Sequence, residues 1–395
     1  MIGFCLFVLL QNISSAQEKT YATKEKRKQF YNLLVEKYAS DDVKKIWLSD
    51  KQTSIFDQWV SGKKETELIN DYATVIHELY HHNCVLTSNS EQRYIINKDI
   101  EIDVPLTEVY KSTELNKIVR KEQQDSIARY VMYVGGKNEF LGLKTNLINT
   151  NEENMIASVQ YGIYGMLEEF AAYYYGANAS LQLYDFFAKE KLWKEPYEAY
   201  DFKHLVTSDA IAYYEFRIFM ANYLLYAQKK YPEIYKELYA NKPLRVAYTL
   251  LTDKFTQLCE QITILTKNIP NEMQEELELF NIFDFSGSDE DMIRFFTKMN
   301  IEEDGIFEIK EEIQGDKKIK KIIVLDKEEF LELKIEYREY EKEMYKGIDM
   351  LELYFAMPDI QEKYLQQQLT NDLLMALENF KINGITEENY KQFLK

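Results

Sequence analysis

Glycine and proline are scarce in this chain, at 13 and six of 395 residues. Tight turns draw on Gly for positive φ and on Pro for a fixed φ, so a turn-dense β-sandwich or barrel is a poor fit. The same scarcity excludes collagen-like and low-complexity architectures. Long helices are what such a chain can build. Apolar residues make up 46%, including 31 Tyr, 22 Phe and three Trp, which is ample material for a large core and excludes intrinsic disorder. The formal charge is −18, so no basic nucleic-acid footprint is present and an anionic membrane surface repels the chain on average.

Apolar periodicity gives the expected elements. Phe30, Leu33, Leu34 and Tyr38 recur at helical spacing, and Ser40-Asp41-Asp42 ends the pattern. A second helix is expected from about Glu65 to Cys84, with Leu68, Ile69, Tyr72, Ile76 and Leu79 on one side. Residues 93–104 and 130–134 are short and β-branched or aromatic, and read as strands, with a turn at Gly135-Gly136. Helices follow over 154–192, Asp209–Tyr231, Pro232–Tyr239 and 244–266. The expected fold class is mainly α, of α+β type with a small β-sheet.

A boundary is expected after residue 265. Residues 266–395 hold 17 Lys and Arg against 31 Asp and Glu, a local charge of −14. This acidic, α-rich C-terminal region contains a β-hairpin around Gly315-Asp316 and charged amphipathic helices from about Lys327. Solvated helical faces explain these acids better than a cation-binding surface.

At the other end, residues 2–10 form an apolar run followed by the small residues Ser14 and Ala16. The run is too short to span a bilayer and suits a secretory signal cleaved after Ala16. The expectation is therefore residues 1–16 as a signal peptide, an exported (periplasmic or secreted) product, and no stable membrane insertion after its removal. The alternative is a buried N-terminal helix. Cys84 and Cys259 then remain, able to form one disulfide or to stay two unrelated buried thiols.

Chemistry concentrates in the second helix. Of four histidines in the chain, three are His77, His81 and His82. Residues four apart share a helix face, so His77 and His81 can grip one metal ion. Glu78 follows the first of them, where it can reach a metal-bound water without binding the metal. Val75, Ile76 and Leu79 surround these polar groups with apolar ones, as on a helix buried beside a site. His82 projects about 100° from His81 and is a neighbour rather than a ligand. The alternative is two solvated histidines on a surface helix.

A catalytic zinc has three protein ligands and an open position. The leading candidate for the third is Glu168, flanked on its helix face by the small residues Gly165 and Ala172, with Glu169 beside it. The alternative is that both glutamates pair with Lys or Arg.

His77-Glu78-x-x-His81, followed downstream by Leu167-Glu168-Glu169-Phe170-Ala171-x-Tyr173, resembles the gluzincin clan of zinc metallopeptidases. The resemblance implies a zincin-like helical domain over residues 17–265 that hydrolyses peptide bonds in peptide or protein substrates. It implies Zn²⁺ held by His77, His81 and the first Glu of the second motif, which maps onto Glu168. Glu169 stands where that motif often has Gly, and which carboxylate binds stays open. Glu78 would be the general base, and a downstream His or Tyr, His204 or Tyr213, would stabilise the oxyanion. The competing reading is an exported helical binding protein that keeps a zinc site without peptidase activity.

Overall fold

A computed structural model describes residues 19–48, 59–60, 62–84, 91–117, 127, 129, 133–134, 157–191, 196–269, 307–314, 317–324 and 369–394. The chain divides into two compact units, one of residues 20–277 and 350–395, the other of residues 1–19 and 278–349. The first is a mostly helical body. The expected fold class, mainly α with a small antiparallel sheet, is what the described residues adopt.

Helix α1 (Lys24–Tyr38) starts where the Thr23 side chain accepts a hydrogen bond from the Lys26 amide, and α2 (Asp41–Trp47) where Ser40 does the same for Val43. Both bury their apolar sides against α3 (Glu65–Asn83), and the Tyr31 hydroxyl donates to the Leu68 carbonyl at 2.7 Å. The Glu67 carboxylate closes the start of α3 by accepting from the amides of Lys63 and Lys64 at 2.7 and 3.0 Å.

After α3, strands β1 (Glu91–Ile95) and β2 (Glu101–Pro105) form an antiparallel hairpin. Asn97 holds its turn by accepting from the amides of Asp99 and Ile100, each at 2.8 Å. Along β2, Ile102 and Val104 are buried while Glu101, Asp103 and Pro105 face solvent. Residues 130–134 depart from their expected strand. Tyr133 and Val134 are helical, with the Tyr133 amide bonded to the Arg129 carbonyl at 3.1 Å, and 130–132 lie outside the described residues. Aromatic and β-branched content reads equally well as buried helix in so short a run.

Helix α4 (Ile163–Gln182) is buried almost all round, the mark of a helix at the centre of a core. The stretch expected as one helix over 154–192 is broken ahead of α4 at Gly162, whose φ is +55°. A Cβ there would lie 2.6 Å from Cζ of Tyr223, and the Tyr223 hydroxyl is itself fixed by donating to the Tyr110 carbonyl at 2.8 Å. Gly162→Ala is expected to destabilise the protein by about 2–4 kcal/mol, from the strained φ and the displaced ring together. A denaturant midpoint unchanged from wild type would show that Tyr223 yields freely.

Helices α5 (Pro196–Ala210), α6 (Ala212–Lys230), α7 (Pro232–Ala240) and α8 (Lys242–Thr266) complete the body. The helix expected to begin at Asp209 begins at Ala212, because Asp209 and Ala210 close α5. Pro232 starts α7 as expected, and the Asn241 side chain caps α8 by accepting from the Leu244 amide. No described helix is long and apolar enough to cross a membrane.

Strands β3 (Phe307–Gln314) and β4 (Lys317–Val324) pair antiparallel in the second unit, with Gln314 opposite Lys317, as the expected hairpin requires. Helix α9 (Asn371–Phe380) belongs to the helical body, where it packs on α6 and buries Leu373, Leu377 and Phe380, the last with its ring against Tyr248 of α8. Arg245 of α8 caps its end by donating to the carbonyls of Asn379, Phe380 and Lys381. Part of the C-terminal acidic stretch is thus built into the helical body. The expected signal segment, Gly135-Gly136, Gly315-Asp316 and residues 327–368 lie outside the described residues. No disulfide joins Cys84 and Cys259, and both thiols are buried.

Candidate metal centre

Helices α3 and α4 form the most intimate helix pair of the body. Gly165, Ala172 and Gly176 keep one side of α4 small, and all three are buried. At Gly176 a Cβ would lie 2.7 Å from Asp209 Oδ2 and 3.2 Å from the Ala73 carbonyl, so backbone meets backbone there. That closeness brings side chains of α4 level with the one-turn pair His77 and His81 on α3.

Three ligand atoms converge, from His77, His81 and Glu169. The two Nε2 atoms are 3.1 Å apart, and Glu169 Oε2 lies 3.3 Å from that of His81 and 3.6 Å from that of His77. Tetrahedral coordination with ligand bonds of about 2.0–2.1 Å separates ligand atoms by about 3.3–3.4 Å, so the triangle has the right size for one ion. Glu169 Oε2 is buried and accepts no hydrogen bond, although it faces two imidazole nitrogens. A buried carboxylate oxygen in such a place is costly unless a cation, whether imidazolium or metal ion, satisfies it. The residues fit a metal ion.

Glu168, the leading sequence candidate for third ligand, stands on the other side of His81. Its Oε1 lies 3.0 Å from His81 Nδ1, and its Oε2 accepts from Gln92 Nε2 of β1 at 3.1 Å. Adjacent helical residues diverge by about 100°, so one glutamate faces the shared point and its neighbour faces the back of the imidazole. A carboxylate on Nδ1 keeps a ring proton there, so Nε2 is the nitrogen that gives up its proton when a metal ion binds. The geometry therefore gives the shared position to Glu169 and an orienting position to Glu168.

Burial is the largest single influence on each of Glu169, His77, His81 and Glu78, and neighbouring charges reverse it at two of them. It opposes the charge of Glu169, yet the imidazoles of His81 and His77 outweigh it and hold this carboxyl at about 2. Burial pulls His77 below its usual range. For His81 burial acts the same way, but the two carboxylates override it and raise the ring well above that range. Half-buried Glu78 is pushed up to about 7 by burial, with Glu169 adding and His81 opposing. A carboxylate poised near neutrality is suited to taking and returning protons.

The oxyanion candidates are placed as follows. Tyr213 lies in the first turn of α6, its ring 6.1 Å from Phe170 and 5.4 Å from Phe255 and its hydroxyl 2.8 Å from Thr256 Oγ1, which are the contacts of a core residue. His204 is on α5, and its side chain lies outside the described residues. His82 is half-buried one position beyond the pair.

Further residues support the pair, the first of them beside His77. The Tyr173 ring packs edge-on to that imidazole, 4.5 Å between centroids. Its hydroxyl is 2.8 Å from that of Tyr133, and the Arg129 guanidinium sits 4.3 Å over its ring. Tyr173 was findable, because it lies four residues after Glu169 and shares its helix face. Arg129 and Tyr133 are far from both motifs in sequence, and Gln92, 11 residues after His81, lies beyond the helix that carries the first; none of the three carries a local signal. The chain matches no protein-family model, and neither a curated protein nor a solved structure gives a significant match.

Proposed function

We propose that this chain is a zinc-dependent hydrolase of peptide bonds, with His77, His81 and Glu169 as the ligands. The observation that carries the reading is the triangle of facing ligand atoms with Glu78 next to it. Two imidazoles, one carboxylate and an open position suit zinc better than harder divalent ions. Zinc held there would supply Lewis acidity, making water nucleophilic at neutral pH and polarising a carbonyl. Glu78 takes the proton released when water adds to the peptide carbonyl and returns it to the departing amine, so it ends the cycle as it began. Glu168 and Gln92 hold the His81 ring so that Nε2 stays aimed at the ligand point.

Protein loaded with zinc and incubated with a broad peptide library is expected to produce new amino termini. A chelator should suppress them, and added zinc should restore them. Zinc retained without any cleavage would overturn the hydrolase reading and leave a binding protein with a zinc site.

A further inference from the structure

The two imidazoles are held differently. His81 has the Glu168 carboxylate at its Nδ1, 3.0 Å away. Among the described residues no hydrogen bond reaches Nδ1 of His77. Its ring is restrained by Tyr173, whose plane meets it at 70°.

Tyr173 is in turn held by unusually expensive groups. Its hydroxyl shares a hydrogen bond with Tyr133, whose carbonyl accepts from Ser112 Oγ at 2.9 Å. The Arg129 guanidinium lies over its face while Nη1 donates to Glu215 Oε2 at 2.6 Å and Nη2 to the Ser208 carbonyl at 2.7 Å. The side chains of Arg129 and Glu215 are 9% and 0% exposed. A buried ion pair gains little stability over apolar residues of the same volume, because desolvation offsets the attraction. A planar guanidinium can stack on a ring and use its edge donors at once, which an ammonium cannot. Here it ties Ser208 at the end of α5 and Glu215 in the first turn of α6 to Tyr173 on α4.

We propose that Arg129 and Glu215 are a positioning pair that fixes the imidazole of His77 through the ring of Tyr173, as Glu168 fixes that of His81. The proposal rests on the reading of His77 as a metal ligand. A ring that rotates freely presents Nε2 to the ligand point only part of the time, and metal affinity falls accordingly.

Two variants test it. Arg129→Lys keeps the charge and loses the stacked plane. The double variant Arg129→Met with Glu215→Leu removes both charges together, so that neither is left buried and unpaired. Zinc affinity is measured by chelator competition, the visible spectrum is taken with Co²⁺ in place of zinc, and melting is followed without metal. Both variants are expected to bind zinc about 10–100-fold more weakly and to shift the Co²⁺ bands. In a His77→Gln background, Arg129→Lys should add almost nothing to the loss, whereas a merely structural role would add fully. Wild-type affinity and an unchanged Co²⁺ spectrum in a folded variant overturn the positioning role alone, as does full additivity. A wild-type protein that takes up neither metal overturns the metal centre as well.

Discussion

Glu78→Gln is expected to slow peptide hydrolysis by about 10²–10⁴-fold while bound zinc stays at the wild-type level. The amide is nearly isosteric with the carboxylate, so packing beside His77 and His81 is kept. What is lost is the capacity to accept a proton, in a residue whose carboxyl burial raises to about 7. Because a base acts in the transition state, the loss should appear in kcat far more than in KM. Single-turnover cleavage of a fluorogenic peptide, with metal content measured on the same samples, separates the two effects. A variant that cleaves at full rate with full zinc would remove Glu78 from the mechanism.

The second large effect concerns the metal itself. Wild-type protein equilibrated with zinc and desalted is expected to retain about one ion per chain, and His77→Ala with His81→Ala to retain only traces. The two glutamates should then rank in a definite order. Glu169→Gln removes a charged atom from the ligand triangle and should weaken binding well beyond Glu168→Gln. The latter disturbs only the Nδ1 side of His81, which corresponds to about 10–100-fold. Elemental analysis gives the stoichiometry and chelator competition the ranking. Equal zinc in wild type and double variant would end the metal-centre reading. The reverse ranking of the glutamates would return the ligand role to Glu168.

Much of the fold was legible because helical periodicity survives in the sequence. Leu68, Ile69, Tyr72, Ile76 and Leu79 mark one buried face of α3, and that face alone places His77 and His81 one turn apart. Breaks at Ser40 and Pro232 were readable as well, since a hydroxyl cap and a missing amide act within a few residues. The strand expected over 130–134 failed at its described residues, Tyr133 and Val134, for a different reason. A five-residue apolar run has no period to distinguish strand from buried helix, and packing decides.

The choice between Glu168 and Glu169 shows where local reasoning stops. Sequence placed two carboxylates on a small-residue helix, and either one satisfied the motif's chemistry. Only the rotation of α4 against α3, set by the close approach at Gly176 and the apolar residues around it, turns Glu169 towards both Nε2 atoms and Glu168 towards Nδ1. Gln92, Arg129 and Tyr133 reach the same neighbourhood from segments 36 or more residues away from Glu169 in sequence. The sequence by itself determined a helical chain with one pair of imidazoles at chelating spacing and a glutamate between them, because a helix carries its spacing within itself. The tertiary structure alone decided which carboxylate completes the triangle and what holds each ring. Those depend on the angle at which two helices meet, and no single helix encodes that angle.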